Sequence, residues 1–256
     1  MRSPEGIQKF IEYKRSVEKE RPFLTVEPNL ITIDGIDGAG KSIIARKLAE
    51  KLQERFGEDK VILVDITNLR GSQKQERLRH IAKHKHITGP RLDMLYAAGI
   101  NRAYEEIIIP ALNEGKIVIV DRSEVDLLRY AIEHNNKIST EKRKKYIKDG
   151  SITHRLWAGN RIFLKVDPKD AWENLENRGY KSQYDPISLE EVKISDKAQQ
   201  EAEQYIESLP HIGEMKIIKE KITRIESETK RDEYLNTLVE KLITNLHLPK
   251  KRNRDE

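Results

Sequence analysis

The stretch Gly35-Ile36-Asp37-Gly38-Ala39-Gly40-Lys41-Ser42 constrains this chain more than any other feature of it. It fits the pattern G-x-x-x-x-G-K-[ST], and its flanks supply the context the pattern needs. An apolar run at 30–34 leads in, and a helical repeat carrying Ala45, Leu48, Ala49 and Leu52 leads out. Glycines let backbone N–H groups curl around phosphate oxygens, and the helix that follows adds the positive end of its dipole. Lys41 has the reach for β- and γ-phosphates, and the Ser42 hydroxyl is placed to ligate Mg²⁺. Gly35 through Ile43 is therefore the expected cradle for ATP with Mg²⁺, with Lys41 expected to face solvent until nucleotide arrives. The bland reading is a glycine-rich strand-to-helix turn carrying an exposed lysine.

Around this loop, short β-rich apolar runs alternate with longer helical patterns. The runs lie at 30–34, 61–65, 116–121, 161–166 and, weakest, 215–218. Continuous apolar sequence such as Ile117-Val118-Ile119-Val120 suits a strand buried on both faces of a parallel sheet. The alternation predicts an α/β fold of three layers, α/β/α, with a central five-stranded parallel sheet and helices on both faces. Helices are expected at 41–56, 72–84, 91–111, about 124–133, about 140–148, 169–177, 189–208 and 229–246; in the last, Leu235, Leu238, Val239, Leu242, Ile243 and Leu246 form a buried stripe. Residues 1–28 read as an N-terminal helical extension, with Pro22 and Pro28 bracketing a linker. Residues 29–248 form the main domain, and 249–256 read as a frayed basic tail.

Composition narrows the class. No window approaches the ~18 apolar residues of a membrane-spanning helix. The opening 22 residues lack the apolar segment of a secretory signal, and their four Glu argue against a transit peptide. The chain has no cysteine, which excludes disulfides, thiolate zinc sites and cysteine nucleophiles and makes a reducing cytoplasm the expected setting. Charged residues make up 36%, against a usual ~25%, and 48 Lys and Arg exceed 43 Asp and Glu by five. The excess sits at 137–155, with Lys137, Lys142, Arg143, Lys144, Lys145, Lys148 and Arg155, and at the tail, with Lys250, Lys251, Arg252 and Arg254. A nucleic-acid binder spreads charge along a face, so these runs read as solvated surface. His80 and His84 share a helix face but His86 does not follow and no carboxylate joins them, so the three read as a solvated helix end. Trp157 and Trp172 read as packing residues.

A second site sharpens the function. Val118-Ile119-Val120 ends in Asp121 and Arg122, at the carboxyl edge where α/β proteins bind ligands. Asp121 is placed to help hold Mg²⁺, and Arg122 offers a planar fork to a phosphate. The two could also be a plain surface ion pair.

With these residues in place, the chain resembles the thymidylate kinase family of nucleoside monophosphate kinases. The resemblance rests on residues 31–42, on Ala97-Ala98, on Pro110-Ala111-Leu112 through Gly115 to Asp121-Arg122, on Gly71-Ser72 with 76–79, and on Val166-Asp167-Pro168. It runs over roughly 29–246. It implies ATP-dependent transfer to a nucleoside monophosphate, most readily dTMP to dTDP in DNA precursor synthesis. It also implies nucleotide substrates as partners and pairing as a homodimer. Asp37 would meet the acceptor's ribose 3′-hydroxyl, and Arg122 would clamp its 5′-phosphate. Tyr96 would stack on the base, although on an amphipathic helix it also reads as core. Arg178 and Lys181 would lie in a lid, about 178–187, and supply charge to the transferred phosphoryl group; Lys181 also reads as solvated surface. The family's base-reading arginine position is Ile100 here, with Arg102 the nearest arginine and so the candidate base reader. Asn68-Leu69-Arg70-Gly71 replaces the family's E-P-G-G, Asn174 and Asn177 replace basic residues, Ser123 replaces an aromatic, and 1–28 have no counterpart.

Two other readings stand beside this one. A deoxynucleoside kinase would need a carboxylate base near the second strand, for which Asp65 is the candidate. A non-catalytic nucleotide-binding protein would need only the loop.

Overall fold

The computed structural model describes residues 24–66, 90–134, 137–179, 186–225 and 227–248. Within them the strands are β1 (Leu24–Asp34), β2 (Val61–Asp65), β3 (Ile117–Asp121), β4 (Leu156–Val166), β5 (His211–Ile212) and β6 (Lys216–Ile222). The helices are α1 (Lys41–Phe56), α2 (Pro90–Ala103), α3 (Ile109–Asn113), α4 (Glu124–Glu133), α5 (Lys137–Lys148), α6 (Pro168–Glu176), α7 (Leu189–Glu207) and α8 (Glu228–Asn245). The main sheet is parallel throughout, in the order β2-β3-β1-β4-β6, and β5 adds two pairings at the start of β1. The α/β fold with its five parallel strands is the one the alternation predicts.

Alternation along β1 divides the core. Ile31 and Ile33 pack with α1, α6 and α8 on one face, against Leu48, Leu52, Ala171, Leu238 and Leu242. Leu30 faces the other way, where Val118, Val120, Ile100, Tyr104 and Ile108 gather. A third group joins α4, α5 and α7 through Val125, Leu128, Ile147 and Ile206 around Trp157 and Phe163. Both faces of the sheet are thus covered, which is why its strands read as unbroken apolar runs.

Several boundaries differ from the sequence reading: β4 begins at Leu156 rather than 161, β6 runs to Ile222 rather than 218, and two further differences have a local reason. β1 begins at Leu24, inside the stretch read as an extension and linker. Pro28 lies within the strand, where the pairing to β4 shifts register between Glu27 and Ile31. A proline cannot donate to the ladder and is tolerated at such a bulge. Asn160 Nδ2 donates to the Pro28 carbonyl at 2.8 Å, and a Cβ on Gly159 would sit 2.6 Å from Pro28 Cα, so the neighbouring strand is shaped to the bulge. The helix expected at 91–111 is interrupted by a π-helical turn, Tyr104–Ile108. Pro110 has no N–H for the Glu106 carbonyl, and its ring crowds that carbonyl, so the helix widens just ahead of it. Most of the N-terminal extension, the helix read at 72–84, most of the lid, and the tail lie outside the described residues.

Beneath the sheet sits a fully buried ion pair. Arg161 Nη2 donates to Glu124 Oε1 at 2.5 Å, with neither side chain exposed. The guanidinium lies 4.1 Å from the Trp157 ring centroid, while Arg161 Nε, Nη1 and Glu124 Oε2 have no protein partner. A half-satisfied pair of this kind is costly to split and cheap to remove whole. Glu124→Leu should lose about 3–5 kcal/mol in urea unfolding, and adding Arg161→Met should recover most of it. A double variant no more stable than the single one would show that the pair itself holds the fold.

Candidate functional site

β1 delivers the loop 35–40 to the start of α1. Gly40 takes a left-handed conformation, and no side chain caps the helix that follows. Its first-turn N–H groups therefore point at the loop's concavity. At Gly38 (φ +86°) a Cβ would sit 2.3 Å from the Ala171 carbonyl oxygen, so α6 lies directly on the loop. Asn174 Nδ2 donates to the Gly38 carbonyl at 3.0 Å. Asn174, where the family often has a basic residue, here fixes the loop's shape.

Lys41 does not face solvent as expected. It is buried, and its ammonium donates to the carbonyls of Gly35 (2.7 Å) and Ile36 (2.8 Å), 3.6 Å from an Asp37 carboxylate oxygen. The reason is electrostatic. A cation enclosed by the loop takes the nearest oxygens, which here belong to the chain itself. Burial and the Arg122 charge together lower its pKa.

Asp121, at the end of β3, lies near enough to the Ser42 hydroxyl for the hydroxyl to stabilise its charged form. Its Oδ1 is buried with no partner, and Asp65 stands opposite it in register. Burial raises the Asp121 pKa, with Ser42, Arg122 and Lys41 pulling the other way. A hydroxyl, one carboxylate with an unused oxygen and a phosphate cradle are the oxygen donors Mg²⁺ takes alongside substrate phosphates. The residues present therefore fit the ion.

Arg122 is the pivot of a second cluster beside the loop. Its backbone is left-handed (φ +75°), and its N–H donates to the Ile33 carbonyl at 3.0 Å. The next residue is pinned: Ser123 N and Oγ both donate to Asp34, at 2.9 and 2.8 Å. Ser123 Oγ also caps α4 by accepting from Val125 N at 3.2 Å. A serine in the aromatic's place thus ties α4 to β1.

The Arg122 fork holds Asp126 Oδ2 (2.6 Å) and Asp37 Oδ1 (2.7 Å). Arg129, fully buried, reaches the other oxygen of each, Asp126 Oδ1 at 3.3 Å and Asp37 Oδ2 at 3.4 Å, and pairs with Glu133 at 2.9 Å. Burial alone would raise the Asp37 and Asp126 carboxyls, yet the cations around them hold both below the ordinary range. The same carboxylates hold Arg122 well above its ordinary value despite burial.

Tyr96 stacks on Tyr130, centroids 6.0 Å apart, and the Arg129 guanidinium lies 4.1 Å over the Tyr130 ring. Tyr130 OH donates to Asp37 Oδ2 at 3.4 Å. The structure thus joins Asp37, Arg122 and, through Tyr130, Tyr96. It does not bring in Arg102, whose Nε pairs with Glu106 at 2.6 Å on the outer helix surface, while Ile100 is core. Arg178 follows α6, and Lys181 lies outside the described residues. Sequence reasoning missed Asp34, Asp126, Arg129, Tyr130 and Glu133. The signal was there: 122, 126, 129, 130 and 133 repeat at three- and four-residue steps along one face of α4.

A family model described as thymidylate kinase matches residues 33–229, more than half of the chain. The chain belongs to the thymidylate kinase family. Among relatives, it is similar to the thymidylate kinase of Chlorobaculum parvum, 39% identical over 95 residues, covering 36% of this chain and 42% of that one. It is also similar to the thymidylate kinase of Vibrio parahaemolyticus, 26% identical over 159 residues, covering 60% and 72%. In the first matches the chain spans less than half of each relative's length. A crystal structure of the Ehrlichia chaffeensis thymidylate kinase superposes with a TM-score of 0.60 at 16% identity, covering 86% of this chain and 99% of that one, which establishes the shared fold. In this thymidylate kinase family member, no helix among the described residues is long and apolar enough to cross a membrane.

One titration in the site is open to test. Burial, with the Asp126 and Glu124 charges, pushes the Asp34 carboxyl up to about 8. A raised carboxyl stabilises the fold fully below the ordinary carboxylate range and loses that contribution as pH climbs toward 8. Asp34→Asn cannot ionise, so its melting temperature should gain on wild type as pH rises from about 5 to about 9. A gap between the two that stays constant over that range would refute the assignment.

Proposed function

We propose that the chain transfers the γ-phosphoryl group of ATP to a nucleoside 5′-monophosphate, with dTMP as the acceptor. The observation that carries this reading is the Arg122 fork. It lies beside the phosphate-binding loop, held between Asp37 and Asp126, with the stacked Tyr96 and Tyr130 behind it. An aromatic face for a base and a guanidinium for a phosphate, next to an ATP cradle, suit a phosphorylated nucleoside better than a bare one.

The chemistry follows from the acceptor. A phosphomonoester has its second pKa near 6, so its oxygen is already a nucleophile at neutral pH and needs no base. The work left to the protein is alignment and charge neutralisation. In this reading Lys41 leaves the Gly35 and Ile36 carbonyls for the β- and γ-phosphates of ATP, which offer more negative oxygens. Arg122 takes the acceptor phosphate and holds its oxygen in line. Asp37 meets the ribose hydroxyl, and Tyr96 packs on the base. Ser42 and Asp121 are the residues that would hold Mg²⁺, whose charge offsets that of the phosphates when it is bound. Arg178 and Lys181 belong to the lid that closes on the donor and excludes water. Asp65, the one candidate base for a bare 5′-hydroxyl, stands opposite Asp121 in register, on the side where the metal is expected. Pairing as a homodimer and a cytoplasmic setting complete the proposal.

The decisive experiment is one steady-state screen of ATP against dTMP, dUMP, UMP, CMP, AMP and thymidine. dTMP should be phosphorylated, with dUMP and CMP rejected only weakly, because a missing polar base reader removes the penalty that strong rejection needs. Turnover of thymidine in place of dTMP would favour the deoxynucleoside kinase reading, and turnover of none a binding protein. In the same assay Arg122→Ala should raise the acceptor KM roughly 10- to 150-fold while the ATP KM stays near wild type. A rise in the ATP KM alone would move Arg122 to the donor side.

A further inference from the structure

Arg122 has both arms of its fork occupied in this structure, one by Asp126 and one by Asp37. An acceptor phosphate can use that fork only by displacing them. Both carboxylates are buried, so displacement would, without a further cation, leave Asp126 unpaired and Asp37 with only Lys41, 3.6 Å away, a costly state in a low-dielectric site. The cost is avoided only if another cation already holds them. Arg129 stands where such a cation is needed. Each of the two carboxylates has one oxygen on Arg122 and the other on Arg129.

We propose that Arg129 is a positioning residue for acceptor binding: it keeps Asp37 and Asp126 neutralised while Arg122 turns from them to the 5′-phosphate. The inference rests on the kinase reading above and adds to it the residue that makes the acceptor site open. Three observations support the division of labour. The Arg129 side chain is fully buried, whereas the Arg122 side chain is 21% exposed, so the arginine that faces the solvent side is the one that changes partner. Arg129 is anchored from a third direction by Glu133 and by the Ser195 hydroxyl, with the Tyr130 ring beneath it, so it cannot follow Arg122. Its contacts to Asp37 and Asp126, 3.4 and 3.3 Å, are slack beside the 2.7 and 2.6 Å contacts of Arg122, leaving room to tighten when Arg122 lets go. A lysine could not do this. A single ammonium lacks the planar fork that spans two carboxylates at once.

The surroundings set which variants are informative. Asp126 also feels Lys41 and, through the site, Asp34; Asp37 feels Lys41 and Tyr130. None of these offers a second fork. Arg129→Gln should therefore strand the carboxylates on displacement. The dissociation constant for dTMP, read by calorimetry, should rise about tenfold or more, with ATP affinity unchanged. Adding Asp126→Asn removes one stranded charge, and the double variant should return to within about threefold of wild type. A single variant with normal dTMP affinity, or a double variant as weak as the single, overturns the proposal. Should Arg129→Gln not fold, Arg129→Lys decides, because an ammonium keeps the charge but lacks the fork. Its dTMP affinity should fall several-fold with ATP affinity unchanged, and an unchanged dTMP affinity overturns the proposal. Binding is read separately from turnover. A wild type that binds dTMP without phosphorylating it refutes the kinase reading and leaves this test intact, and a wild type that binds no nucleoside monophosphate overturns both.

Discussion

One carboxyl group at the end of β1 sets the geometry of the cluster around Arg122. Asp34 receives both the backbone N–H and the hydroxyl of Ser123, two residues beyond the end of β3. The Ile33 carbonyl takes the Arg122 N–H. Between these anchors Arg122 is held in a left-handed conformation that costs a non-glycine residue about 1–3 kcal/mol. The strain aims the guanidinium back across the mouth of the loop instead of along the strand. Ser123 then caps α4, so the same contact orients the helix that presents Asp126, Arg129, Tyr130 and Glu133. The loop at 35–40 and α4 are in this way registered to each other through one buried side chain, itself held largely protonated near neutral pH.

A shared logic links the two halves of the site. Lys41 is satisfied by two backbone carbonyls of its own loop, and Arg122 by two carboxylates. In each case oxygens of the chain stand where phosphate oxygens are expected. A buried cation must have such partners or suffer a large desolvation penalty. The substitutes differ in kind. Carbonyls are neutral, and Lys41 can leave them at the cost of two hydrogen bonds. Carboxylates are charged, and Arg122 can leave them only if their charge is met elsewhere. On the proposed reading this asymmetry accounts for the additional buried arginine, Arg129, that shares the carboxylates with Arg122, while the carbonyls that hold Lys41 need no such cation.

How far the sequence carries depends on whether the determinant is local. The phosphate loop is a contiguous string, and its flanking periodicities are local too, so the strand, turn and helix at 30–56 were legible. So was the parallel sheet, because strands covered on both faces must read as apolar runs. Pro28 misled because its tolerance depends on a bulge and on Gly159, more than a hundred residues away, which no local rule encodes. Lys41 misled because the free loop satisfies its charge internally. Asp126, Arg129 and Glu133 lay at legible helical spacing but resembled a solvated face; only the packing of α4 on α7, with Ser195 against Arg129, turns that face inward.

The residues around the proposed base position are where this chain departs furthest from the pattern of its family, and the departure is coherent. Ile100 belongs to the apolar group beneath the sheet, so a polar reader at that position would face Val118 and Val120. The nearby π turn ahead of Pro110 re-phases the helix after residue 103 and leaves Arg102 paired with Glu106 on its outer surface. What remains toward Asp37 is an aromatic pair, Tyr96 on Tyr130, with Arg129 over the second ring. Stacking surfaces accept any base of suitable size, because every base has a π-face. The groups proposed for phosphate and sugar are charged and tightly built, while the pair proposed for the base is flat and apolar. On the proposed reading, a site of that composition would select first for a phosphorylated nucleoside and only second for which base it carries.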